Sequence, residues 1–192
     1  MPSSHYTIRT MTKQDVKTAI DWAAAEGWNP GIHDAESFYV ADPNGFFIGE
    51  IDGEAVATLS AVKYGDSFGF MGFYMVKPAY RGKGYGIQIW DAGIEYLTGR
   101  NIGLDGVLEQ QENYKRFGFK FAYRNIRYEG INDNAVLPDN SKTIDLAAVS
   151  FESIQAYDQS FFPEERSVFL ESWVRHADRH AVGIMDGEQL AG

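Results

Sequence analysis

Apolar positions in this chain switch repeatedly between strand-like and helical spacing. Residues 6–9 form a short β-prone run. Thr12 and Asp15 follow as an N-cap with an acid three positions on, a pair that satisfies free helical N–H groups. Val16, Ala19, Ile20 and Ala23 then share one helical face, and Gly27 is a natural stop. Trp28-Asn29-Pro30-Gly31 reads as a turn. Residues 34–39 predict a second short helix, ending before Asp42-Pro43-Asn44-Gly45.

The period then shortens. Residues 46–50 and 55–64 are strand-like, and Asp52-Gly53 between them is a strong hairpin signal. Gly65-Asp66 offers a second turn, and residues 68–76 supply a third strand. Helical spacing returns at Ile87, Trp90, Ile94 and Leu97, with Gly99 as the stop. Trp90 belongs to that apolar stripe and is expected in the core. Residues 102–107 predict a strand, 112–117 a short helix and 119–128 a long strand. Strand, helix, meander, helix, strand, helix, strand is the order of an α/β fold with a mixed sheet.

Between the third strand and its helix lies Tyr74-Met75-Val76-Lys77-Pro78-Ala79-Tyr80-Arg81-Gly82-Lys83-Gly84-Tyr85-Gly86. A basic, glycine-alternating loop that opens a helix presents free backbone N–H groups and the positive end of the helix dipole, which together favour phosphate. A P-loop is excluded, because no Gly-Lys-Ser/Thr stands at the required spacing. A G-x-G-x-x-G dinucleotide fingerprint fails at Ile87.

Val76-x-Pro78-x-x-Arg81-Gly82-x-Gly84-x-Gly86 resembles the acetyl-CoA loop of the GCN5-related N-acetyltransferase (GNAT) superfamily. Asn113-Tyr114-Lys115-Arg116-Phe117-Gly118-Phe119 is similar to that superfamily's Tyr-x-x-x-Gly-Phe segment, with Tyr114 standing 28 residues after Gly86. The resemblance covers residues 45–128. It implies a mixed, mostly antiparallel sheet flanked by helices, and acetyl transfer from acetyl-CoA to an amine. It further implies that Arg81, Gly82, Lys83, Gly84, Tyr85 and Gly86 hold the cofactor pyrophosphate, mainly through backbone amides. Tyr74, Met75 and Val76, on a strand that splays from its neighbour, would bind the pantetheine arm and thioester. Tyr114 would protonate the leaving CoA thiolate. The acid some members carry on the strand before the loop is missing from residues 68–76. Glu50, Asp105 and Glu109 are the nearest candidate bases, and none is singled out. The missing base leaves a non-catalytic acyl-CoA-binding module as the alternative. Trp28, Asn29 and Tyr64 are candidates for the acceptor pocket, with Phe70 beside them.

Composition narrows this picture. The chain has 192 residues, a net charge of −10 and no cysteine. An acyl-cysteine intermediate is therefore excluded, so acyl transfer must use another nucleophile or be direct, and direct attack in a ternary complex is the expectation. The acidic balance argues against nucleic-acid binding and is compatible with a cationic amine. No apolar run is long enough for a membrane helix, and the first residues lack a signal-peptide pattern, so a cytoplasmic protein is expected. His176 and His180 are spaced i, i+4 without an evident third ligand, so no metal is expected.

The last part reads differently. Residues 1–131 are assigned to the acetyltransferase domain and polar residues 132–142 to a linker. In residues 143–192, Pro163-Glu164-Glu165 predicts a helix start, with Phe169, Leu170, Trp173 and Val174 as its apolar face. Val182-Gly183-Ile184-Met185-Asp186-Gly187-Glu188 resembles Ile48-Gly49-Glu50-Ile51-Asp52-Gly53-Glu54 at a constant offset of 134. The expectation is a second GNAT-like unit, begun near residue 143 and truncated within its early hairpin.

Overall fold

A computed structural model describes residues 5–126, 128, 131 and 143–192. Five strands form one sheet in the order β1-β2-β3-β4-β5. They are β1 (Tyr6–Thr10), β2 (Phe46–Ile51), β3 (Glu54–Tyr64), β4 (Phe68–Val76) and β5 (Asn101–Leu104). All neighbours are antiparallel except β4 and β5, which run parallel. The helices of this part are α1 (Lys13–Ala25), α2 (Asp34–Ala41), α3 (Tyr85–Tyr96) and α4 (Gln111–Arg116).

Local rules account for most boundaries. Thr12 and Asp15 form a complete capping box at the start of α1. Asp52 and Gly53 both take left-handed conformations, with φ of 51° and 84°, in the two-residue turn between β2 and β3.

Strand alternation gives the sheet two buried faces. On one, Ala57, Leu59, Ala61 and Met71 pack under Ile89, Trp90 and Leu97 of the α3 region. On the other, Phe46, Ile48 and Val62 pack with Met11 and with Val16 and Ala19 of α1. Gly93 of α3 lies so close to β3 that an added Cβ would stand 2.3 Å from Leu59. Its missing side chain is what lets helix and sheet approach.

Three expectations are corrected. The strand forecast for residues 102–107 ends at Leu104, where the chain leaves β4. The strand forecast for 119–128 is absent from the described part of that segment. There Phe121, Tyr123, Ile126 and Tyr128 are exposed, and the described residues gain no ladder partner. Residues 127, 129 and 130, and the linker at 132–142, lie outside the described residues. The helix forecast at Pro163 begins only at Ser167. Glu164 instead accepts from the Ser67 backbone N–H at 3.0 Å, and Arg166 forks onto Asp158 at 2.6 and 2.8 Å. These tertiary bonds take the groups that would have opened a helix.

The C-terminal segment comprises β6 (Thr143–Asp145), α5 (Phe151–Asp158), α6 (Ser167–Val174), β7 (Val182–Asp186) and β8 (Gln189–Leu190). It has a small core of its own around Val149, Ile154 and Leu170. Both halves of the sequence match at offset 134 end in hairpins. The β2–β3 turn closes with Ile51 opposite Glu54, whereas the β7–β8 turn closes one position later, with Asp186 opposite Gln189.

Candidate active site

β4 and β5 stay paired from Phe68 opposite Asn101 to Met71 opposite Leu104. Beyond that point β4 continues to Val76 while β5 has ended, which leaves the edge of residues 72–76 without a β5 partner. At the end of that edge the chain turns at Pro78 and runs through Gly82 and Gly84, both left-handed with φ of 73° and 85°, into α3. An L-residue with a side chain resists that conformation, so both glycines are required by the path. The first-turn N–H groups of α3 have no carbonyl one turn earlier to bond, and they face the same end. Gly86 is needed for space: a Cβ there would stand 2.7 Å from the Tyr74 hydroxyl. Tyr85 is held from behind by Tyr6, whose hydroxyl donates to the Tyr85 carbonyl at 3.2 Å.

The three cations of this region are already engaged. Arg81 donates from Nε to the Val76 carbonyl at 2.8 Å and from a terminal nitrogen to Glu26 at 2.7 Å. Lys77 pairs with Glu54 at 2.9 Å and stands over the Trp22 ring. Lys83 lies 5.3 Å from the Tyr80 ring centroid. Backbone amides are therefore the groups this loop offers most directly to an anion, while Arg81 ties the loop to the end of α1.

Tyr114 sits on α4 with its ring stacked against Trp90 at 5.7 Å. The spacing to Gly118 and Phe119 has a local cause. Gly118, left-handed at φ 89°, donates to the Lys115 carbonyl at 3.0 Å, and Phe119 donates to the Tyr114 carbonyl at 3.2 Å. This double closure is a Schellman cap, and it fixes Tyr114 three residues inside the helix end. Gly106 clears the way, since a Cβ there would stand 2.5 Å from the Tyr114 ring. Burial raises the Tyr114 phenol above its ordinary value, and burial likewise raises Tyr74, with Tyr114 adding to it. A raised phenol stays protonated at neutral pH, the form a proton donor must have. Trp90, 2% exposed, centres this aromatic group, and among the described residues its indole N–H has no hydrogen-bond partner.

Other sequence candidates separate. Trp28 and Asn29 stand two and three residues after Glu26, the partner of Arg81, so their segment lies near the loop. Tyr64 does not join them. It pairs with Phe68 at the opposite end of β4, roughly 20 Å from Met75 at strand rise. Its ring packs edge-on against Phe162, and burial pushes its phenol up to about 12. Phe70 pairs with Val62 and Gly103 inside the closed part of the ladder. Glu50 is also removed as a base: it accepts a two-point contact from Arg9 at 2.7 and 3.1 Å, on a strand two places from β4. Asp105 immediately follows the end of β5 and accepts from Asn125 at 3.0 Å.

Sequence reading missed two features. The first is a β-bulge. Thr58 faces Met75 and Ser60 faces Gly72, so Leu59 faces both Phe73 and Tyr74. Because residues 68–76 are apolar nearly throughout, no alternation could reveal the extra residue. The second is a polar junction between α2 and the segment after α6. His176 stacks on His33 at 4.8 Å rather than pairing with His180, and Asp178 lies 3.9 Å from His33. The ligand atoms of His33, His176 and Asp178 lie within 4.8 Å of one another. Both ring nitrogens of His176 are already hydrogen-bonded, one to Glu36 at 3.1 Å and the other to the Asp178 N–H at 3.2 Å. These partners lie about 140 positions apart in sequence, beyond any local signal.

Comparison with known proteins agrees with this geometry. The model of the acetyltransferase (GNAT) family matches residues 13–119. Holothin acyltransferase of Pseudoalteromonas sp. (strain SANK 73390) is 34% identical over 188 residues, covering 97% of this chain and 63% of that protein. A Pyrococcus horikoshii protein assigned as an acetyltransferase superposes with a TM-score of 0.74 at 21% identity, covering 90% of this chain and 62% of the other. An aminoglycoside N-acetyltransferase in complex with CoA superposes with a TM-score of 0.50 at 23% identity, covering 68% and 98%. The chain thus spans about 63% of the length of the curated relative. Among the described residues, no helix is long and apolar enough to cross a membrane.

Proposed function

This chain belongs to the GNAT acetyltransferase family, and from that premise we propose that it moves an acetyl group from acetyl-CoA to an amine by direct attack in a ternary complex. The observation that carries the reading is the edge left unpaired where β4 outlasts β5, with a glycine loop and helix N-terminus at its end. Backbone amides of residues 82–86 hold the pyrophosphate. Backbone groups of Tyr74, Met75 and Val76 on the edge that β5 leaves unpaired bind the pantetheine arm and the thioester carbonyl, the Val76 carbonyl itself being taken by Arg81. A preorganised N–H aimed at the developing oxyanion contributes a few kcal/mol. The amine attacks the carbonyl carbon, the C–S bond breaks, and the thiolate takes the Tyr114 proton. Asp105, at the open end of β5, is the acid best placed by topology to receive the amine's proton through water.

The acceptor enters past Trp28 and Asn29. Its class is an open-chain or ring amine of a small molecule or peptide. The names of the relatives supply two probes, holothin and an aminoglycoside. Free-thiol release from acetyl-CoA across a panel holding both, with polyamines and lysine peptides, tests the reading. Amine-dependent thiol release supports it. Tight acetyl-CoA binding with no release from any amine would instead favour a non-catalytic acyl-CoA-binding module.

A further inference from the structure

Phe73 has a backbone its residue type resists. Among the described residues, the non-glycine positions with positive φ are Asn29, Asp52 and Phe73. Asn29 and Asp52 occupy turns and have short polar side chains that tolerate this region. Phe73 stands inside β4 at φ 47°, a conformation that an L-residue with a bulky side chain resists. Its strain is tied to the bulge. Met71 packs on the α3 face, and without the extra residue Phe73 would follow it there. Instead Phe73 turns to the α1–α2 face, and Tyr74 and Val76 return to the α3 face. The bulge therefore aims the stretch of β4 that β5 leaves unpaired.

Two contacts hold Phe73. Thr58, fully buried, donates its hydroxyl to the Phe73 carbonyl at 2.8 Å. Phe38 of α2 meets the Phe73 ring at 5.7 Å. Phe38 is itself backed by α6, with Phe169 stacked at 5.8 Å and 5° and Trp173 at 5.8 Å and 26°. Arg179 completes the stack. Its guanidinium lies 4.1 Å from the Trp173 ring centroid and donates to buried Ser37 at 3.0 Å. Ser37 immediately precedes Phe38, so both ends of this lock meet at one residue pair.

We infer that α6 positions the reacting strand: Trp173 and Phe169 act through Phe38 to keep Phe73 left-handed, and so fix the aim of residues 74–76. This rests on the proposed acyl transfer for its functional consequence, while the structural coupling stands apart from it. Trp173 and Phe169 are positioning residues, since they reach Phe73 through Phe38.

A double-mutant cycle tests the coupling. Trp173→Ala should lower kcat about tenfold in the thiol-release assay, with a smaller change in KM for acetyl-CoA. Phe73→Gly accepts the left-handed conformation without support. In that background Trp173→Ala should cost less than about twofold. Trp173→Phe should restore most turnover, and Phe169→Leu serves if Trp173→Ala does not fold. Equal losses in both backgrounds, or full kcat with only a lowered Tm, would overturn the inference. Backbone amide shifts of residues 72–76 read the same coupling without turnover. Shifts unmoved by Trp173→Ala or Phe169→Leu overturn it, whereas moved shifts with no thiol release from wild type would refute the acyl-transfer reading alone.

Discussion

The two faces of the five-stranded sheet are built from different sequence distances. The α3 face draws mostly on one stretch, from Ala57 through Trp90 to Tyr114 and Phe119, joined by Ile8 and Phe47. Its special residues obey short-range rules: left-handed glycines in a loop, a Schellman cap, glycines that clear space for a tyrosine. The α1–α2 face is finished by residues from the far end of the chain. Asp34 meets Arg179 and Ser37 meets Ser172 across separations of 145 and 135 positions. The face that would hold the cofactor is thus self-contained, while the face behind the bulge depends on the C-terminal segment.

The sharpest break of this contrast is Trp90→Ala. Removing a ring that is 2% exposed and touches Tyr74, Tyr114, Phe117 and Phe119 should cost about 3–5 kcal/mol. Denaturant unfolding measures it. A loss below about 1 kcal/mol would mean that the α3 face is not the main core of this unit.

Tyr114→Phe keeps that packing and removes only the hydroxyl. Turnover should fall about 100-fold, near 2.7 kcal/mol of transition-state stabilisation, with the Kd for acetyl-CoA almost unchanged. Steady-state kinetics with calorimetry separates the two quantities, and a parallel loss of affinity would make Tyr114 a binding residue.

Gly93→Ala presses a methyl group toward Leu59 and should destabilise by about 1–3 kcal/mol unless the leucine end moves aside. The thermal midpoint reports this directly. An unchanged Tm would show that helix and sheet can separate without loss.

On the other face the junction is polar, and the effect should be smaller than that of Trp90→Ala. Arg179→Met leaves Ser37 and Asp34, both buried, without that partner and should cost on the order of 1–3 kcal/mol. Hydrogen exchange should rise first in α2 and α6. Protection lost equally on the α3 face would erase the distinction between the two sides.

The smallest effect is acid dependence at the start of α1. Hydrogen bonds from Arg9 hold the Asp15 carboxyl at about 2, below its ordinary 3.8. A lowered folded-state value means that this contribution is present above about pH 4 and lost as pH falls toward 2. Asp15→Asn should flatten stability across that window, as read by acid titration of the fold. An unchanged slope would assign the acid sensitivity elsewhere.

Much of the five-stranded sheet and its helices was legible because the causes are local. Apolar periodicity gave α1 and α3. Asp52-Gly53 gave its hairpin, and the glycines at 82 and 84 marked the left-handed path into α3. The errors came where partners are distant. Glu50 read as a free acid until Arg9 was found on it, and Tyr64 read as pocket until its place at the far end of β3 was known. Pro163-Glu164-Glu165 read as a helix start until Ser67 took the Glu164 carboxylate. Residues 119–126 kept strand propensity without a ladder to join, since a strand is completed by its neighbour.

The sequence by itself determined where backbone conformations are forced, because glycine placement, caps and apolar spacing act within a few residues. Only the tertiary structure decided which charges are already spent, where β4 gains its extra residue, and that α6 stands behind it. A bulge in an all-apolar strand leaves no mark in composition, and an aromatic contact between Phe38 and Trp173 exists only once chain closure has brought them together.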